Sequence, residues 1–320
     1  MLGELNFKDY FDLDKDDYLY NLKFKTIINN TIPERKKYHK VCNDKFRHIC
    51  CDYLNKLKNC KLNTIKKNSL YSTVIIDNRS NPILEFMIRH MLIQLHHICS
   101  FYIVCFRSNL EYIKSICNSV SNNIHIIYFP NIQINSAKDY NKLLCSKFFW
   151  EHFKCDKILI YQVDSFLFNK KNIDKYFEYD YIGAPFYHKP NNLEFGNGGF
   201  SIRNVKLTKH ILDTYPITRI MNEDLYFSQH FNNLKNCNLP SIKECLNFSL
   251  ENIYSDKIDN YIGGHQFWFC LPNWEQYLKD ILDKLYNQIP VEPSPLFPRV
   301  VESNDSTNST INGDKSGDTS

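Results

Sequence analysis

Between residues 73 and 168 the apolar positions follow two periods in turn. Short unbroken apolar runs, rich in β-branched and aromatic residues, occur at TVIID (73–77), SFYIVCF (100–106), IHIIYF (124–129) and DKILIYQVDSFLF (156–168). Runs of this length and composition predict buried strands. Between them PILEFMIRHMLIQLHH (82–97), LEYIKSICNSV (110–120) and AKDYNKLLCSKFFWEHF (137–153) carry helical spacing. Strands that alternate with helices of this length form βαβ units, which predicts an α/β fold with a largely parallel sheet covered on both faces.

The flanks behave differently. Residues 1–68 are polar and Lys-rich, with one helical stretch at 38–60, and read as a helical N-terminal extension with no chemistry of its own. Beyond Asp164 the pieces shorten: YDYIGAPFYH (179–188), a glycine cluster, helices at 205–215 and 222–231, DNYIGGHQFW (259–268) and a last helix at 274–288. Residues 69–290 therefore form the main domain. From 291 to 320 Pro, Ser, Thr, Asn, Asp and Gly replace any apolar period, and such a segment is expected to be disordered.

The glycine cluster raises a question of its own. Three of the chain's nine glycines, Gly196, Gly198 and Gly199, fall in EFGNGGFSIRN (194–204). Gly costs conformational entropy on ordering, so a cluster marks either a tight connection or backbone that something approaches closely.

Composition narrows the function. A formal net charge of +4, with no basic run interleaved with aromatics, argues against a nucleic-acid partner. Twelve cysteines lie scattered in apolar segments without a CxxC pair, so they read as reduced, buried small side chains rather than zinc ligands. The acidic start lacks the apolar region of a signal peptide, and no segment has the ~18 apolar residues of a membrane span. The expected location is the cytoplasm.

Ligands of open α/β sheets bind at the carboxyl ends of the strands. Two such ends carry polar residues: Asp77 with Arg79 after TVII, and Gln162 with Asp164 inside ILIYQVDSFLF. Each pair is spaced two apart and would share a face of a strand. A carboxylate in an apolar strand is costly unless paired or bound to a metal, and hard divalent cations share oxygen ligands with phosphates. Asn222 can cap a helix whose first turn holds Glu223 and Asp224, and GGHQFW sets His265 and Trp268 beside flexible backbone.

In order, QVDS, YDYIGAPF, GNGGFSIR, NEDLYFS and GGHQFW resemble the motifs of a domain-of-unknown-function family of glycosyltransferases with the GT-A fold, over about residues 71–270. The resemblance implies a Rossmann-type mixed sheet and transfer of a sugar from a nucleotide-diphosphate donor, most simply a UDP-sugar, to a hydroxyl of a glycan or protein. It implies donor-nucleotide contacts from Asp77, Arg79, Gln162 and Asp164, and a Mn²⁺ or Mg²⁺ ion on Asp164 and His265. Asn197, Gly198, Gly199, Phe200, Ser201 and Trp268 would meet the sugar or acceptor. Asp224, with Glu223 as its substitute, would be the general base of an inverting reaction, held ionised by the helix dipole. One departure stands out: GT-A enzymes commonly place Asp-x-Asp at the metal-binding strand end, and here the first position is Gln162. A catalytically silent nucleotide-sugar or glycan-binding module of the same fold is the alternative.

Overall fold

The computed structural model of the chain describes residues 32–287, except 61, 63, 64, 67, 68, 187–192, 218–220, 252–260 and 272. The disorder expected for residues 291–320 lies outside the described residues, as does the start of the N-terminal extension.

Four of the predicted strands form as β1 (Tyr71–Ile76), β2 (Ser100–Phe106), β3 (Ile124–Phe129) and β4 (Lys157–Tyr161). β2 and β4 flank β1, β3 continues beyond β2, and all three pairings are parallel. Two further strands, β6 (Tyr181–Pro185) and β7 (Phe195–Asn204), complete a six-stranded sheet in the order β3-β2-β1-β4-β7-β6. Only β7 runs antiparallel to its neighbours. Helices of the crossovers between these strands are α3 (Pro82–Leu95), α4 (Leu110–Val120), α5 (Ala137–Leu144) and α6 (Lys147–Trp150). They follow α1 (Ile32–Asp52) and α2 (Leu54–Lys58) in the chain. The fold class is α/β, as the periodicity predicts, and the central sheet is mixed, as the family resemblance implies.

Helix starts follow capping chemistry. Asn81 accepts a hydrogen bond from the Leu84 N–H at 3.0 Å with Pro82 in the first turn, and Ser136 caps α5 in the same way. The predicted helix 137–153 is split at Cys145–Ser146, where Ser146 begins a new cap.

Two expectations change here. The run 156–168 is not one strand: β4 ends at Tyr161, and a turn closed by the Ser165 N–H on the Gln162 carbonyl at 3.1 Å redirects the chain. The next three residues, β5 (Ser165–Leu167), belong to a second sheet with β8 (Ser249–Leu250) and β9 (Gly263–His265), in the order β5-β9-β8. Gln162 and Asp164 thus sit on the bend between two sheets rather than on one strand face. The glycine cluster is no connection either. It forms β7, ten residues long and buried along nearly its whole length.

The remaining elements are α7 (Ile173–Tyr176), α8 (Val205–Thr214), α9 (Glu223–Asn233), α10 (Ile242–Phe248) and α11 (Trp274–Tyr286), with a 3-10 turn at Phe267–Phe269. α1 packs onto this second half. Phe46 is fully buried, its ring 5.8 Å from that of Phe267 and 5.6 Å from that of Trp268. Lys45 reaches Glu275 of α11 at 2.6 Å, and Tyr53 donates to Asp283 at 2.6 Å. If the core runs through α1, Phe46→Ala should lose about 3–5 kcal/mol in denaturant unfolding, the usual cost of deleting a buried aromatic ring. A loss below about 1 kcal/mol would mean that α1 is an attachment.

Candidate functional site

The carboxyl end of β1 supplies the first pair. Just beyond the strand, the Arg79 Nε and a terminal guanidinium nitrogen donate to the two oxygens of Asp77, at 2.9 and 2.5 Å. The loop is fixed from below by Asn109, which is buried and donates to the Asp77 and Arg79 carbonyls. Asp77 is buried while the Arg79 side chain is half exposed, so the pair presents the guanidinium outward.

The bend after β4 supplies the second. Asp164 Oδ1 lies 3.3 Å from His265 Nε2, and Gln266 donates to Asp164 Oδ2 at 2.9 Å. Gln266 reaches it from a left-handed backbone position (φ 47°) that turns the chain sharply after β9. On its other side His265 Nδ1 lies 3.0 Å from Glu251 Oε1. Burial alone would raise the Asp164 carboxyl, but the charge on His265, with donors from His265 and Gln266, holds it well below the usual carboxylate range. Burial alone would lower His265, yet Glu251 and Asp164 raise it well above the ordinary histidine value.

These atoms also decide whether a divalent ion fits. Both ring nitrogens of His265 and Glu251 Oε2 are buried without a well-aligned hydrogen bond among the described residues. Asp164 Oδ1 and His265 Nε2 are close enough to share one ion, with Glu251 orienting the ring as carboxylates do for metal-bound histidines. Among the described residues no group of three His, Cys, Asp or Glu forms a ready-made cage. The fit is to an open two-ligand site whose other positions fall to water or phosphate oxygens.

β7 carries the third group. Side chains alternate across a strand, so Gly198 and Gly199 face opposite ways. A Cβ on Gly199 would run into the His265 ring; one on Gly198 would run into the Glu223 carboxylate. The two glycines therefore thin the strand to bare backbone where protein groups press in from both sides. The close approach expected of a sugar at these positions is made by His265 and Glu223.

Glu223 and Asp224, adjacent in sequence, have opposite surroundings. Glu223 accepts a hydrogen bond at 2.5 Å from Arg203, whose side chain is wholly buried between the rings of Tyr181 and Phe227. Glu223 is thereby committed to a structural ion pair, which removes it as a substitute base. Asp224 has no ion-pair partner among the described residues; one oxygen accepts from the Leu225 N–H. Burial first, then the charge of Glu223, push its carboxyl up to about 7, and Arg203 only partly opposes them. This reverses the expectation that the helix dipole keeps Asp224 fully ionised at neutral pH.

The other expected sugar contacts divide. Asn197 is buried and donates to the Pro185 carbonyl at 2.8 Å, which ties β7 to β6, while buried Ser201 donates within β7 to the Gly198 carbonyl at 3.2 Å. Phe200 packs on Phe248. Trp268, 1% exposed, stands among Phe46, Phe267 and Trp274. The expectation that Phe200 and Trp268 meet the sugar or acceptor is corrected: both rings belong to the core.

Asp77, Arg79, Gln162 and Asp164 line one cavity of about 460 Å³ at the carboxyl edge of the sheet. Tyr140 of α5 lines it too, its phenol hydrogen-bonded with Gln162. His39, Asn43 and Arg47 of α1 close its wall. Sequence reasoning missed Glu251, Tyr140 and these three. Their only signal was the shared helical face of 39, 43 and 47, in a stretch read as devoid of chemistry.

Residues 123–265 match a family described as "Protein of unknown function (DUF5672)", and no curated protein matches. Among solved structures the chain resembles a galactosyltransferase, LgtC, in complex with donor and acceptor sugar analogues, at 10% identity over 69% of this chain and 97% of that one, with a TM-score of 0.41. It also resembles mouse xyloside xylosyltransferase 1 in its apo form, at 13% identity over 61% and 96% of the two chains and a TM-score of 0.38. A third is the 4-diphosphocytidyl-2C-methyl-D-erythritol synthase of Anaerococcus prevotii, at 11% identity over 56% and 93%, with a TM-score of 0.39. Identities of this size say nothing of shared site residues.

The contrast between Glu223 and Asp224 is measurable as stability. Glu223→Gln leaves the Arg203 charge buried without its partner and should cost about 3–5 kcal/mol. Asp224 has a folded pKa above the ordinary value of 3.8, so the stability it contributes is present below that pH and lost as pH rises towards about 7. Asp224→Asn should therefore melt higher than the parent at pH 8 and equally at pH 4. A lower melting temperature at pH 8 would show Asp224 to be a paired, stabilising acid.

Proposed function

We propose that the chain transfers a glycosyl group from a nucleotide-diphosphate donor to a hydroxyl acceptor with the help of a divalent ion, on a GT-A-like sheet. The observation that carries this reading is the placement of Asp164: on the bend between the two sheets, in the cavity wall, 3.3 Å from a histidine whose other nitrogen is backed by Glu251. A buried carboxylate and an oriented imidazole at the carboxyl edge of parallel strands suit a shared metal–diphosphate site. The imidazole nitrogen favours Mn²⁺ over Mg²⁺.

Asp164 and His265 would hold the ion, and Glu251 would fix the ring that offers Nε2. When bound, the ion would neutralise charge on the departing diphosphate. Gln162, neutral where an aspartate is common, contributes no charge to the site. The donor set is then lean, and the diphosphate is needed to complete the ion's coordination. Asp77 orients Arg79 in the same cavity, where its half-exposed guanidinium can meet a phosphate or the nucleoside. Asp224 takes the acceptor proton as the hydroxyl attacks, in a reaction that inverts the anomeric centre. A carboxyl titrating near neutrality matches that task, being basic enough to accept a proton and still half ionised at pH 7.

The lean donor set also suits the second reading, a module that binds a nucleotide-sugar without turning it over. Incubation with a panel of nucleotide-sugars and Mn²⁺ separates the two. Hydrolysis or transfer with any donor supports the enzyme, and binding without turnover across the panel supports the module.

Two variants sharpen the roles. Asp164→Asn keeps the shape and removes the charge, so Mn²⁺-dependent donor affinity measured by calorimetry should collapse; an unchanged affinity would end the metal assignment. In the parent, kcat/KM should rise with pH through about 7 as Asp224 becomes the carboxylate. Asp224→Asn should abolish that limb and lower kcat by roughly 10²–10⁴-fold, with donor affinity almost unchanged. Near-normal turnover, or a product of retained configuration, would remove Asp224 as the base.

A further inference from the structure

α1 reads in sequence as a polar lead-in and lies outside the residues that match the family. It nevertheless closes the cavity. His39, Asn43 and Arg47 recur every fourth residue, span an arc of about 80° on the helix surface, and all line the cavity that Asp77 and Asp164 also line. Phe46, beside this row, anchors the helix in the core, so the three polar side chains stand on a fixed element.

The cations of the cavity are not equivalent. Arg79 spends two of its three nitrogens on Asp77. Arg47 is half buried, no carboxylate of the described residues lies within 4.0 Å of it, and its Nε is buried without a hydrogen bond. The Asn43 Oδ1 is likewise buried and unmatched. His39 is held in place by stacking on Phe269, ring centroids 5.8 Å apart. A cavity-lining guanidinium with no carboxylate partner among the described residues can receive an anion: a phosphate accepts a guanidinium fork in two parallel hydrogen bonds.

We infer that α1 is part of the donor site, with Arg47 clamping a phosphate of the nucleoside diphosphate and Asn43 placed beside it to meet a neighbouring donor of the ligand. This rests on the nucleotide-diphosphate reading of the cavity. It adds that recognition of the diphosphate needs a helix outside the family-matched segment.

The test is calorimetry of the full chain with UDP, GDP, CDP and ADP, the corresponding nucleosides and inorganic pyrophosphate, each with Mn²⁺. For the tightest nucleoside diphosphate, Arg47→Ala should weaken binding at least tenfold, with the weak affinity for the matching nucleoside unchanged. Arg47→Lys, which keeps the charge and loses the fork, should fall between. Lys45→Ala, on another face of α1 and paired with Glu275, should bind like the parent. Unchanged melting temperatures establish that the variants are folded. Equal diphosphate affinity in Arg47→Ala and the parent overturns the inference and leaves the donor site standing. A parallel loss of nucleoside affinity overturns the phosphate assignment. A parent that binds none of the diphosphates or pyrophosphate overturns the cavity reading, and this inference with it.

Discussion

At Gly198 and Gly199 two groups of charged side chains approach one strand from its opposite faces with nothing between them but peptide backbone. On one face the His265 ring bridges Asp164 and Glu251; on the other the Glu223–Arg203 pair sits beside Asp224. Any side chain at these positions would force one group away, and interiors packed at this density have no slack to absorb it. The pair of glycines is therefore a spacing device. It sets how closely the Glu223 carboxylate and the His265 ring each press on the backbone of β7.

Charge compensation gives each acid its character. Asp164 is kept ionised by His265 and Gln266, Glu223 is spent on a buried arginine, and Asp224 has neither, so burial raises it. Neighbours alone thus give three acids different characters: one held ionised, one paired, and one titrating near neutrality. Perturbation of this kind, in a cluster beside a cavity, is what sites of acid–base and metal chemistry require. The buried Arg203–Glu223 pair also holds the first turn of α9 against β7, which orients Asp224 without touching it.

Much of the fold was legible because periodicity reports burial, and the strand–helix alternation of residues 71–161 recurs in the sheet order. β7 was not, since glycine disfavours strands by propensity and only its neighbours' approach explains it there. The break at Gln162 was hidden because 156–168 is apolar on both sides of a turn made by Ser165. Asp77 with Arg79, and Asp164, were readable from polar residues at apolar strand ends, and His265 from the GGHQFW motif, its pairing with Asp164 only through the family resemblance. Glu251 was not: it follows a two-residue strand in a segment without a motif, and only the second sheet brings it to His265. Arg47 was hidden by its setting among other basic residues, because sequence alone does not tell which of several helix faces meets a cavity.

The measurement that bears most directly on this account is a crystal structure with a nucleoside diphosphate and Mn²⁺, the ion located by its anomalous scattering. The expected result is one manganese peak shared by Asp164 and His265, with the diphosphate in the cavity of Asp77 and Arg79. A diphosphate bound elsewhere, or a manganese peak away from both residues while His265 stays between Asp164 and Glu251, would contradict it.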